Sequence, residues 1–318
     1  MGWADELGRP PRVVVTGGAG FIGSLLSRIL LGAGYEVLVY DNLSYGGQSL
    51  LPLFIHDRFR FVEADILDTD TLGSALENAD AVVHLAAMVG YPLCKKLPDL
   101  AQRVNVQGTR NVLSALPKDA RLLYASTGSN YGEVVGLCTE ETPLNPLSLY
   151  GETKTLAESL CRGWPGSVSL RFATAFGLSP RPRLDLMIND FTYQALVQRY
   201  LLVYEKHFRR TFIHVRDIAR AFLHCMEHWD QVTGRVFNVG DESMNYTKED
   251  IANMLANRLD FHLYYAEFAK DEDKRDYEVC YDRIRATGFS IDVNIDKGLQ
   301  ELIAGLPLLR VKNPFGNV

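Results

Sequence analysis

Cysteine pairs are missing from this chain. Its five cysteines (Cys94, Cys138, Cys161, Cys225 and Cys280) are odd in number, widely spaced and never arranged as C-x-x-C. That excludes a disulfide framework and suits buried thiols in a reducing compartment. Long apolar runs are missing too. A membrane span needs roughly 20 apolar residues, and "IGSLLSRILL" is short and interrupted by Arg28. The segment "MGWADELGRPP" lacks a basic-then-apolar signal pattern, and Glu6 stands where a myristoylation motif wants Ser or Thr. Basic clusters are scarce: 33 Lys and Arg against 39 Asp and Glu give a net charge of −6, with "FRR" and "RPR" the nearest things to patches. No electrostatic footprint for nucleic acid results. The expectation is a cytoplasmic protein with neither nucleic-acid nor membrane partners. His224 and His228 in "HCMEH" have a zinc-chelating spacing, but no third ligand accompanies them and the run reads as an amphipathic helix. No metal is expected.

Alternating strands and helices fill the first half. "RVVVTGG", "EVLVYD", "RFRFVEAD", "AVVHLAA", "RLLYAST" and "SVSLRFAT" read as strands. Between them lie the helical patterns "IGSLLSRILLGAG", "LGSALENA", "LAQRVNVQGTRNVLSAL" (one long helix over 99–116) and "YGETKTLAESLC". Crossover connections of this kind predict an α/β fold, a Rossmann-like doubly wound parallel sheet. After about residue 177 the pattern changes to the Pro- and Arg-rich "GLSPRPRLD", and from Asp241 it becomes polar and mixed. The predicted division is a dinucleotide-binding domain over 12–177, with 212–240 returning to it. A smaller, partly interleaved C-terminal substrate cap would take 178–211 and 241–312.

Gly17, Gly20 and Gly23 in "VVVTGGAGFIG" fall between a predicted strand and a predicted helix. Such a turn lets backbone approach a pyrophosphate while the helix N-terminus offers N–H donors. Asp41 ends the second strand, where a carboxylate accepts from a ribose 2′-OH and repels a 2′-phosphate, so the cofactor expected is NAD rather than NADP. Asp65, after the third strand, has two readings: a contact to the adenine amino group, or the N-cap of the helix that follows.

Two tyrosines compete for the chemistry. "ASTGSNYG" holds Tyr131 among hydroxyls, and "SLYGETKTLAE" holds Tyr150. Lys154 stands four residues after Tyr150 in a helical pattern, so the two side chains share a face. An ammonium favours a phenolate, which a phenol otherwise reaches only near pH 10. Tyr131 has Val135 at that spacing. Tyr150 is therefore the expected base and Tyr131 a packed aromatic, with Thr127, at the end of "RLLYAST", hydrogen-bonding the substrate oxygen.

The motifs "TGGAGFIG", "HLAA", "VNVQGT", "STGSNYG", "YGETK", "LRFATAFG", "RRTFIHVRDIA" and "FNVG" occur in order over about residues 12 to 290. Together they resemble the extended short-chain dehydrogenase/reductases, specifically the NAD-dependent nucleotide-sugar epimerase/dehydratase group. The resemblance implies a cofactor site of Gly17, Gly20, Phe21, Ile22 and Gly23 at the pyrophosphate, Asp41 and Asn42 at the adenosine ribose, and Asp65 with Ile66 at the adenine. Leu85, Ala86 and Ala87 would line the cofactor, and Asn105 would support the active-site backbone. It implies Thr127, Tyr150 and Lys154 as catalytic residues, Lys154 also holding the nicotinamide ribose. Arg210 and Arg275 match arginines that bind the sugar nucleotide's diphosphate; Arg275 also reads as an exposed residue in a charged run. Thr174 replaces a family Asn in "RFAT", and the unusual loop "SPRPRLDLMIND" puts Arg181, Arg183 and Asn189 where sugar or phosphate contacts lie. Relatives dimerise through the helix pair around 99–116 and Tyr150, so a homodimer through a four-helix bundle is expected.

The reaction implied starts with oxidation of a nucleotide-diphosphate sugar at C4. The dehydratases of the family carry Asp-Glu after the catalytic threonine; here Gly128 and Ser129 stand there, and neither serves as a carboxyl acid or base. A 4-epimerase is the reading expected, ahead of a decarboxylase, a C3/C5-epimerase or a 4-ketoreductase on the same scaffold. A non-catalytic NAD-binding regulatory protein is the alternative of a different class, which intact Thr127, Tyr150 and Lys154 argue against.

Overall fold

Val13, Val14 and Val15 have no exposed surface. A strand buried on both faces needs apolar side chains at odd and even positions alike, which is the signature of a parallel sheet covered by helices on either side. The computed structural model describes residues 3–134, 136–266 and 278–309 and places that strand inside such a sheet. Along the chain the strands are β1 (Arg12–Thr16), β2 (Glu36–Asp41), β3 (Phe59–Glu63), β4 (Ala81–His84), β5 (Arg121–Thr127), β6 (Leu137–Cys138) and β7 (Ser167–Phe172). They continue with β8 (Thr174–Phe176), β9 (Tyr200–Tyr204), β10 (Arg209–His214), β11 (Val236–Val239), β12 (Asn245–Thr247), β13 (His262–Ala266) and β14 (Glu278–Val279).

Seven strands make the main sheet in the order β11-β7-β5-β4-β1-β2-β3, every neighbouring pair parallel. The chain steps outward in one direction from β1 and in the other from β4. The carboxyl ends of those two strands therefore flank the switch point at which α/β sheets open a ligand crevice. The helices Gly23–Gly32 and Val215–Glu227 cover one face, with Leu26, Leu30, Ile218 and Phe222 in a shared core. The helices Thr69–Leu76, Gly108–Ala115 and Leu149–Arg162 cover the other, through Leu72, Val112, Ala157 and Cys161. This is the doubly wound sheet expected. Among the described residues, no helix is long and apolar enough to cross a membrane.

A separate core gathers Ile188, Phe191, Leu201, Phe212, Ile251 and Leu299. Beside it run the three-stranded sheet β12-β10-β8 and the parallel pair β13-β9. Of the segment 212–240, expected to return to the main domain, β10 pairs with β8 and β12, the helix Val215–Glu227 packs into the main-sheet core, and β11 joins the sheet's edge. One expectation needs correcting here. The single long helix over 99–116 is instead Pro98–Gln102, a π-spaced turn Arg103–Gln107 and Gly108–Ala115. The wide turn contains Asn105, and such bulges are frequent at functional sites.

Candidate active site

The turn after β1 backs directly onto the segment after β4. Gly17 has φ +70°, and a Cβ there would come 2.7 Å from the Ala86 nitrogen, so any side chain would wedge the two segments apart. The crevice above holds a cavity of about 490 Å³. Gly17, Gly20, Phe21, Ile22 and Gly23 form one wall; Asp41, Asn42, Asp65 and Ile66 form the next; Leu85, Ala86 and Ala87 form the third. Asp41 accepts hydrogen bonds from the Ala19 and Leu43 backbone N–H groups at 3.0 and 2.9 Å, while burial raises its pKa. Asn42 donates to Asp65 (2.8 Å), whose other oxygen accepts from Leu67 N–H (2.9 Å). The N-cap of the following helix is Asp68, which leaves Asp65 facing the cavity. Glycines for close approach, a carboxylate at the end of β2 and apolar walls after β4 fit a dinucleotide.

A second cavity of about 610 Å³ adjoins the first, and Ile22, Leu85, Ala87, Val89, Ala175 and Arg183 line both. Thr127, Tyr150 and Lys154 meet on its wall. Tyr150 opens the helix Leu149–Arg162, capped by Ser148, whose Oγ accepts from Gly151 N–H. One turn on, Lys154 is 4% exposed. Its Nζ sits 4.2 Å from the centre of the Tyr124 ring, and burial pulls its pKa down to about 8. Thr127 Oγ1, at the end of β5, accepts from Ser129 N–H and donates to Ser129 Oγ, both at 3.1 Å.

Tyr131 occupies a different environment. It has no exposed surface; its hydroxyl donates to Asn238 Oδ1 at 2.6 Å and accepts from Arg171 at 3.0 Å, and burial pushes its pKa up to about 12. Beneath the threonine loop, Glu158 and Arg171 form a bidentate pair with both side chains 2% exposed. Glu158 Oε2 also accepts from Ser126 Oγ and Asn130 Nδ2, tying the helix that carries Tyr150 and Lys154 to the end of β5. Glu158 lies two turns beyond Tyr150 on the same helix face, a spacing visible in the sequence. Its partner Arg171, on β7, shows no such local signal.

The remaining predicted residues divide. Thr174, Arg183 and Arg210 line the second cavity. Asn105 does brace backbone: its amide exchanges hydrogen bonds with Met88 N–H and C=O and donates to Thr153. Asn189 and Arg181 were expected among sugar or phosphate contacts. Asn189 is 1% exposed and its amide bonds Gly177 N–H, Gly177 C=O and Arg183 C=O, so it locks the loop. Arg181 lines the first cavity and not the second. Arg275 lies outside the described residues. Reasoning from sequence missed Tyr45 in the first cavity, and Asp185, Asp190, Gln194, Tyr204 and Lys248 in the second. Burial raises the Asp190 pKa to about 6.

A glycine-lined crevice joined to a Thr–Tyr–Lys cavity defines an NAD-binding enzyme of the dehydrogenase type. The chain belongs to the NAD dependent epimerase/dehydratase family, whose pattern matches residues 13–240. It is 32% identical over 306 residues to the low-salt glycan biosynthesis protein Agl12 of Haloferax volcanii, covering 92% of this chain and 97% of that one. It is also 32% identical over 263 residues to UDP-glucuronic acid decarboxylase 1 of Arabidopsis thaliana, covering 78% of this chain but only 58% of the plant protein. Among solved structures it is similar to the UDP-glucuronic acid 4-epimerase from Bacillus cereus in complex with UDP-glucuronic acid and NAD. That likeness has 27% identity and a TM-score of 0.83, and covers 93% of this chain and 99% of the other. NAD is the cofactor, and the chain is an enzyme of the nucleotide-sugar epimerase, dehydratase and decarboxylase superfamily.

Proposed function

We propose that this chain is a nucleotide-diphosphate-sugar 4-epimerase. The observation that carries the reading is the meeting of Thr127, Tyr150 and Lys154 on a cavity joined to the dinucleotide cavity. NAD supplies the acceptor and later the donor of the C4 hydride. Tyr150 takes the 4-OH proton and returns it, Lys154 holds positive charge beside the phenol, and Thr127 orients the sugar oxygen. Arg210, on the wall shared with Lys248, suits the substrate diphosphate, where a guanidinium fork matches the anion. Thr174 and Arg183 face the sugar.

Acid–base equipment for the alternatives is sparse. Gly128 and Ser129 follow Thr127, so dehydration lacks its carboxyl pair. Asp185 is held by Arg183, and Asp190 accepts from Gln194; both belong to the loop and helix beyond Arg183, not to the end of β5. A decarboxylase is the second reading. Arg183 lines both cavities, and a C5 carboxylate would compete with Asp185 for its guanidinium. A homodimer through the helices flanking Asn105 and Tyr150 belongs to the same reading, and exposed Leu156 on the Tyr150 helix supports it.

The test is product analysis with NAD and a panel of UDP-, GDP-, dTDP- and CDP-sugars, uronic acids included. The expected product is the C4 epimer, with no CO2 released and no net NADH. Release of CO2 would transfer the assignment to a decarboxylase, and consumption of added NADPH to a ketoreductase. Sugar-nucleotide binding without any product across the panel would favour a non-catalytic role.

A further inference from the structure

We propose that Arg181 is a cofactor residue, its guanidinium set against the NAD diphosphate from the side opposite the glycine turn. The placement rests on three observations. Arg181 is 7% exposed and lines the dinucleotide cavity together with Gly17, Gly20 and Asp41, but not the adjoining sugar cavity. Its guanidinium lies 4.3 Å from the centre of the Tyr45 ring, which also lines that cavity, so the head group has a platform that restricts its rotation. The loop that carries it is fastened to the glycine turn itself: Ser179 Oγ donates to the Phe21 carbonyl at 2.7 Å and lies 3.3 Å from Ser24 Oγ.

The chemistry selects the diphosphate. Within NAD the adenosine is neutral and the oxidised nicotinamide is cationic, so the diphosphate is the only anionic group, although the Asp41 carboxylate also attracts the Arg181 guanidinium. The helix after the glycine turn offers N–H donors to one side of that anion. Arg181 supplies full positive charge from the other, in a partly dry cavity where charge-assisted bonds are strongest. An enzyme that must return the same hydride gains from such a clamp, because cofactor lost in mid-cycle would strand the keto sugar. The inference needs only that NAD binds here, so it holds for any reaction of the superfamily.

The experiment is calorimetric titration of cofactor-free protein with NAD, ADP-ribose and adenosine. Arg181→Met keeps the bulk and removes the charge; it is expected to weaken NAD and ADP-ribose alike, by about tenfold to a hundredfold. Adenosine, which lacks the diphosphate, should bind as before, and so should UDP at saturating NAD. Arg181→Lys should recover part of the loss. Tyr45→Leu, at a position 37% exposed and therefore tolerant of change, should weaken NAD severalfold by removing the platform. Unchanged NAD affinity in both Arg181→Met and Tyr45→Leu overturns the proposal. So does a loss confined to UDP, which would return Arg181 to the substrate, or a loss seen only with NADP, which would assign it to a 2′-phosphate.

Discussion

Replacing Tyr150 by phenylalanine is expected to lower kcat by about 10²- to 10⁴-fold, the range removed with a positioned general base. The fold should survive, because Tyr150 sits at the first turn of its helix with its ring on the cavity wall. Tyr131→Phe should behave in the opposite way. The Tyr131 hydroxyl joins Asn238 to Arg171 in a fully buried position, so its loss strands an acceptor and a donor and costs about 1–3 kcal/mol of stability. Its kcat should stay within roughly tenfold of the parent, since the ring lies outside the reaction cavity. Rates measured with saturating NAD, beside urea unfolding of both variants, separate the two roles. Equal losses of rate would contradict the assignment of the base.

The second large effect is expected beneath the site. Glu158→Ala leaves the Arg171 guanidinium buried without its carboxylate, and removing one partner of such a pair costs about 3–5 kcal/mol. Activity should fall as well. Glu158 holds Ser126 and Asn130 on either side of Thr127, so the loop that presents the threonine hydroxyl loses its anchor. Replacing both members, as Glu158→Met with Arg171→Met, should restore much of the stability and little of the activity. Denaturation midpoints of the two single variants and the double variant give the coupling. A single substitution costing under about 1 kcal/mol would show that the pair does not carry the loop.

What could be read from the sequence was what is local. The glycine turn, the carboxylate at the end of β2 and the four-residue step from Tyr150 to Lys154 are each fixed by the pitch of one helix or the end of one strand. All three reach the cavities expected of them. The parallel sheet was legible for the same reason, because Val13, Val14 and Val15 in "RVVVT" form a continuous apolar run and helical patterns separate the strands. The loop around Arg181 was not. Its direction depends on Ser179 meeting Phe21, 158 residues earlier in the chain, and no spacing inside "SPRPRLD" encodes that contact. Asn189 is ambiguous in sequence because an amide can serve a ligand or a backbone with the same atoms, and here it bonds three backbone groups. The helix over 99–116 carries an unbroken helical pattern, yet at its middle the Thr109 hydroxyl donates to the Asn105 carbonyl and the Asn105 amide reaches out of the wide turn to Met88.

The most direct measurement follows the hydrogen on C4. A sugar nucleotide that the enzyme turns over, labelled with deuterium at C4, is converted in ordinary water and the product examined by NMR and mass spectrometry. If Tyr150 removes only the hydroxyl proton and the hydride is held in the active site until it is returned, the inverted product keeps its deuterium at C4. Replacement of that label by solvent hydrogen would mean that C4 is deprotonated directly, and the roles given to Tyr150 and to the joined cavities would be wrong.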